Sequence, residues 1–138
     1  MTYTKHEFEL VITEAPLVMS GVPEYIAQLM DKLIANAIEF SQENSPIVVS
    51  LLAKGRTAQL SVSNTGPALP ENMSEQIFES MVSVRPQQVQ DKPHLGLGLY
   101  IARLITDFHH GEITASNIVQ DTQATGVTIS ITLPLSAA

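Results

Sequence analysis

Pro23-Glu24-Tyr25-Ile26-Ala27-Gln28-Leu29-Met30-Asp31-Lys32-Leu33-Ile34-Ala35-Asn36-Ala37-Ile38-Glu39-Phe40 is the stretch on which the reading of the fold turns. Ile26, Leu29, Met30, Leu33, Ala37 and Phe40 recur at spacings of three and four, which draws one apolar stripe along an α-helix. Pro23 suits the first helical turn, where its missing N–H costs nothing. Gln28, Lys32 and Asn36 follow one another at intervals of four and form a polar line along the border of that stripe. Upstream, over 8–13, Phe8, Leu10 and Ile12 alternate with Glu9, Val11 and Thr13, which predicts a largely buried strand. Pro16 and the Gly21-Val22-Pro23 turn separate this strand from the helix.

Downstream, 47–53 and 58–64 are strand-like runs joined by Lys54-Gly55-Arg56-Thr57, the spacing of a hairpin. Leu60 and Val62 face one way, and Gln59, Ser61 and Ser63 the other. The turn-rich Thr65-Gly66-Pro67-Ala68-Leu69-Pro70 ends the second run, and a short helix is expected from 71 or 72 to about 81. Residues 83–95 are polar, hold two prolines and show no period, so they predict a loop. Its length inside so short a chain marks it as functional or disordered. A second helix follows, with Leu97, Ile101, Leu104, Ile105 and Phe108 on one face. His109, His110 and Gly111 close it, with Gly111 as the C-cap and the imidazoles near the negative end of the helix dipole. Strands over 112–117 and 127–133 complete the chain. The order predicts an α+β two-layer sandwich, with a mixed, largely antiparallel sheet of five strands and the helices on one face.

The 138 residues suffice for one domain, spanning 1–138, and a hydrophobic content of 44% is enough for a core. Without cysteine there is neither a disulfide framework nor a thiolate metal site. No apolar run approaches the roughly 20 residues that cross a bilayer, and the first residues lack the apolar centre of a signal peptide. A soluble, intracellular domain is therefore expected. Acidic residues outnumber basic ones 14 to 7, and the basic ones are scattered, which argues against a nucleic-acid partner. A phosphate-bearing ligand is compatible with that charge, since a few backbone N–H groups and one metal ion can hold it.

Three places can carry such chemistry. Asn36 offers a hard, neutral oxygen that suits Mg²⁺ beside phosphates and water; the plainer reading is an amide satisfied by backbone or a solvated helix edge. Leu95-Gly96-Leu97-Gly98-Leu99 stands where the long loop enters the second helix. Glycines there let a phosphate approach the free N–H groups of a helix N-terminus, or they simply ease packing. The segment fits neither a dinucleotide fingerprint nor a Walker A motif. Asn64-Thr65-Gly66-Pro67 is either a turn or a pocket wall, on which the amide can accept from an adenine amino group. His109 and His110 are adjacent, which is poor metal-ligand spacing.

In this order and spacing, these segments resemble the nucleotide-binding boxes of the histidine kinase ATPase domain, whose superfamily includes DNA gyrase and mismatch-repair ATPases. The run 28–41 resembles the Asn box, 62–70 the first glycine box, Ile77-Phe78-Glu79-Ser80-Met81 the Phe box, and 96–102 the second glycine box. His110-Gly111-Glu112-Ile113 and Gly126-Val127-Thr128-Ile129 are similar to the closing strands. The resemblance covers nearly the whole chain. It implies that Asn36 coordinates Mg²⁺, that Asn64 faces the adenine amino group, and that Thr128 sits near the adenine. It also implies that Gly66 and Leu69 contact nucleotide and that Gly96, Leu97 and Gly98 cradle phosphates. Residues 83–95 would form a lid over ATP, with Arg85 and Lys92 as phosphate contacts.

The departures bear on affinity. The family usually has Asn at the place of Lys32, Asp at that of Asn64, and Gly at those of Ala68 and His94. Lys32 either touches phosphate as a point charge or is a solvated helix residue. Asn64 keeps an acceptor but no charge. The activity implied is transfer of the γ-phosphoryl of ATP to a histidine on a separate dimerising helical domain, with a response regulator downstream. Autophosphorylation by this chain alone is not expected. The resemblance also implies a cytoplasmic place in a membrane-anchored sensor, without direct membrane contact. A catalytically degenerate nucleotide-binding or docking module is the alternative, and an anti-sigma-type protein-serine kinase a more distant one.

Overall fold

The computed structural model describes residues 7–13, 16–69, 76–79 and 97–136. Five strands, β1 (Phe8–Ile12), β2 (Ile47–Lys54), β3 (Thr57–Thr65), β4 (Glu112–Gln120) and β5 (Gln123–Pro134), form one sheet in the order β1-β2-β3-β5-β4. β1 runs parallel to β2 and every other pairing is antiparallel. The parallel pair needs a long crossover, and helix α1 (Pro23–Phe40) supplies it. Helix α2 (Leu97–Phe108) packs beside α1, and a 3-10 turn at Gln76–Phe78 touches α2. The expected α+β architecture, with a mixed sheet and the helices on one face, is the observed one. The lid expected over 83–95, with Arg85 and Lys92, lies outside the described residues, as does Gly96.

The strand period of two builds the core. On β3 the inward face carries Ala58, Leu60, Val62 and Asn64, and on β5 Val127, Ile129, Ile131 and Leu133, all buried. Leu29, Leu33 and Ala37 of α1 and Leu99, Ala102 and Ile105 of α2 close over them. The opposite face carries hydroxyls, with Ser63 and Thr128 bonded across strands at 2.8 Å. At the β2–β3 hairpin Gly55 takes a φ of 60°, which a residue with Cβ adopts only at a cost.

Four expectations change. β1 is exposed along its whole length, Leu10 to 64%, because α1 rests on β3 and α2 on β4 and neither covers the sheet edge. β4 and β5 run on into a two-residue turn at Asp121 and Thr122, both left-handed (φ 51° and 66°). A turn without glycine or asparagine hides such a hairpin from sequence inspection. α2 is rotated relative to its apolar stripe, so Leu104 and Phe108 are 48% and 59% exposed while Thr106 and His109 are buried. Burying these two polar residues is tolerable because both are satisfied: Thr106 Oγ1 donates to the Ala102 carbonyl at 2.7 Å, and His109 bonds through both ring nitrogens. Finally, the left-handed residue that ends α2 is His110 (φ 64°), not Gly111. Gly111 N–H donates to Thr106 and His110 N–H to Asp107, the paired bonds of a Schellman cap. Gly111 is required for another reason, since a Cβ there would stand 2.3 Å from the Thr132 carbonyl oxygen.

Candidate functional site

The polar line on α1 faces the start of α2. Lys32 is half-buried, and the aliphatic Cδ of its stem lies 4.0 Å from where a Cβ on Gly98 would stand. Gly98 is the second residue of α2 as described, among N–H groups the helix cannot satisfy itself. No described atom comes closer to that virtual Cβ, so packing among the described residues does not require glycine at a position where it weakens a helix.

One turn further along α1 stands Asn36. Its Oδ1 is buried and has no hydrogen-bond partner, the single such side-chain atom among the described residues. An orphaned buried acceptor costs about 1–3 kcal/mol, so a ligand that completes it is the natural physical account. A neutral amide oxygen fits the hard, oxygen-seeking Mg²⁺. Among the described residues no cluster of His, Cys, Asp or Glu could hold a metal ion without help from a ligand.

A further turn on, the last carbonyl of α1 meets Asn64. Asn64 is 3% exposed, and its Nδ2 donates to the Phe40 carbonyl oxygen at 3.3 Å. A carbonyl can only accept, so the amide nitrogen must face Phe40, which leaves Oδ1 as the acceptor for a ligand. Gly66 lets the backbone close on the same carbonyl: a Cβ there would lie 2.2 Å from the Phe40 oxygen. Gly126 is equally constrained, with a virtual Cβ 2.1 Å from the Asn64 carbonyl oxygen. From Lys32 to Phe40 the line runs eight residues, about 12 Å at 1.5 Å per residue. It has a cation and a helix N-terminus at one end and an amide acceptor at the other.

Two residues alter the expected set. Thr128 pairs with Ser63 and points to the outer sheet face, whereas Asn64 pairs with Val127 and points inward. The strand period therefore puts Val127, not Thr128, beside Asn64 on the helix side. Asn117 of β4 stands on that same rung, directly opposite Val127, and was not foreseen. Its Oδ1 accepts from Leu69 N–H at 2.8 Å and its Nδ2 donates to the Leu69 carbonyl at 3.2 Å. This two-point clasp fastens the segment after β3 and holds Leu69 at 5% exposure. The only signal in the sequence was an amide at the same strand parity as Ile113 and Ala115; because Asn117 is itself exposed, nothing in the local pattern required it to find a protein partner. A separate hollow of about 570 Å³, lined by Phe78, Glu79, Arg103, Asp107 and Glu112 among others, takes in part of the Phe-box run but none of Lys32, Asn36, Asn64, Gly98 or Thr128.

A family model described as "Histidine kinase-, DNA gyrase B-, and HSP90-like ATPase" matches residues 21–137. The chain belongs to that ATPase family. Among curated relatives of this histidine kinase-like chain, the adaptive-response sensory kinase SasA of Crocosphaera subtropica is 37% identical over 112 residues, covering 78% of this chain and 29% of SasA. The chain thus spans less than a third of that relative. Among solved structures, the mycobacterial sensor histidine kinase MprB superposes with a TM-score of 0.83 at 24% identity, covering 98% of this chain and 85% of that one, which shows the shared fold. Histidine kinase ThkA, solved in complex with response regulator protein TrrA, matches with a TM-score of 0.74 at 26% identity, covering 95% of this chain and 34% of that one. No helix among the described residues is long and apolar enough to cross a membrane.

Proposed function

We propose that this domain binds Mg-ATP along the Lys32–Asn36–Asn64 line and supplies its γ-phosphoryl to a histidine on a separate helical domain of a two-component sensor kinase. The observation that carries the reading is the orphaned Asn36 Oδ1, one turn from a lysine that has no ion pair among the described residues and whose stem lies by the start of α2. Bound Mg²⁺ would neutralise phosphate charge, with Asn36 Oδ1 as its ligand from this chain. The remaining work is positioning. The N–H groups around Leu97 and Gly98 receive phosphate oxygens. Asn64 Oδ1 accepts from the adenine amino group, in an orientation that its bond to Phe40 sets. Leu69, held by Asn117, and Gly66 form the wall on that side. In phosphoryl transfer, such positioning and charge stabilisation are most of what a protein contributes. The partner would be the phosphoacceptor helical domain, then a response regulator, and the parent would be a membrane-anchored sensor with this domain in the cytoplasm.

A titration calorimetry series with a non-hydrolysable ATP analogue, with and without Mg²⁺, tests the pocket, and mixing with an acceptor domain and labelled ATP tests transfer. Binding without transfer would favour the docking-module reading, which the uncharged Asn64 motivates. Absence of binding by folded protein at millimolar analogue would defeat the kinase reading and favour a degenerate docking module.

A further inference from the structure

The lysine on the polar line has a consequence for the metal. Lys32 is half-buried, has no hydrogen bond or ion pair among the described residues, and leans its stem toward Gly98. The N-terminus of α2 carries roughly half a positive charge. Two positive poles set side by side repel each other unless an anion lies between them. The chain's own offer to a metal is meagre by comparison: one neutral amide oxygen at Asn36, and no carboxylate or imidazole cluster among the described residues. A divalent ion would therefore arrive with the phosphates rather than wait in the site, and would stand one helical turn along α1 from a lysine whose ammonium repels it.

We propose that Lys32 is a built-in counter-ion for the phosphates of an adenine nucleoside triphosphate, so that this chain holds the nucleotide with little dependence on divalent metal. The inference rests on the nucleotide reading of the same pocket and adds a specificity residue to it. The family's usual Asn at this position would supply no charge, and binding would then lean on the metal. The ammonium acts as a point charge that needs no particular geometry, so Arg preserves the effect while Asn or Met removes it. Met also keeps the stem's apolar packing beside Gly98.

The test measures affinity for a non-hydrolysable ATP analogue in excess Mg²⁺ and in EDTA, for the wild type and for Lys32→Asn, Lys32→Met and Lys32→Arg. Melting curves without ligand check that each variant is folded. The wild type and Lys32→Arg are expected to lose less than about tenfold on metal removal, and Lys32→Asn and Lys32→Met more than about a hundredfold, steps of 1.4 kcal/mol per factor of ten. AMP binding should not distinguish the variants if the ammonium meets the distal phosphates. Raised salt should weaken metal-free binding by the wild type more than by Lys32→Met. Equal losses on metal removal in wild type and Lys32→Met would overturn the proposal while leaving the nucleotide pocket standing. A folded wild type that binds no analogue even in Mg²⁺ would overturn the proposal and the pocket together.

Discussion

Replacing Asn36 with alanine should stabilise the empty domain and reduce the stability it gains from ligand. The wild-type side chain buries an acceptor with no partner, and removing it relieves about 1–3 kcal/mol. Alanine also favours the helix over asparagine by about 0.5 kcal/mol. Against this stands the packing lost on truncating a side chain that is only partly buried, about 1 kcal/mol. The balance is a gain of about 0.5–2.5 kcal/mol without ligand, which raises the melting temperature by about 2–9 °C in a domain of this size. With an ATP analogue and Mg²⁺ at about a hundredfold Kd of the wild type, the wild type gains about 2.7 kcal/mol, and a variant weakened about tenfold by losing the metal ligand gains about 1.4 kcal/mol. The melting-temperature advantage of the empty variant should therefore shrink, by the equivalent of about 1.3 kcal/mol, in the loaded protein. Differential scanning fluorimetry on both proteins, with and without ligand, reads this directly. A variant that melts below the wild type when empty would refute the reasoning, since it would mean the oxygen is already satisfied by the protein itself.

Gly66→Ala and Gly98→Ala should behave oppositely. The first forces a Cβ to 2.2 Å from a backbone oxygen and should cost more than about 3 kcal/mol in urea denaturation, whereas the second meets only a lysine stem at 4.0 Å and should leave the empty fold as stable or about 1 kcal/mol more so, while weakening nucleotide binding. His109→Phe should destabilise by about 1–3 kcal/mol, because Val22 N–H loses its acceptor at 3.1 Å and the Ile105 carbonyl loses the ring donor at 2.8 Å, keeping the His109 backbone N–H at 3.2 Å; hydrogen exchange should show the Val22 amide opening first. Thr122→Gly removes a β-branched residue from a φ of 66° and should raise stability by about 1 kcal/mol, measured by chemical denaturation.

Periodicity determined the type of the long elements but not all their ends, since the strands read over 112–117 and 127–133 extend to Gln120 and back to Gln123. A spacing of three and four over 23–40 can bury one face only as a helix, and alternation over 58–64 only as a strand. The same logic determined that Asn36 lies at the border of the stripe, while the order of the candidate boxes was legible only through the family resemblance. Tertiary structure decided what local pattern cannot encode. Nothing in Phe8–Ile12 says that the helices stop short of it, since coverage of a strand depends on its place in the sheet order. The rotation of α2 that exposes Phe108 and buries His109 depends on partners at Val22 and Ile105, one of them 87 positions away. Whether Thr128 or Val127 stands beside Asn64 is a matter of register between β3 and β5, and a shift of one residue would exchange their faces. The same holds for the site: the sequence named Lys32, Asn36 and Gly98 separately, but only packing α1 against α2 brings the lysine stem to the glycine and leaves the Asn36 oxygen buried without a partner.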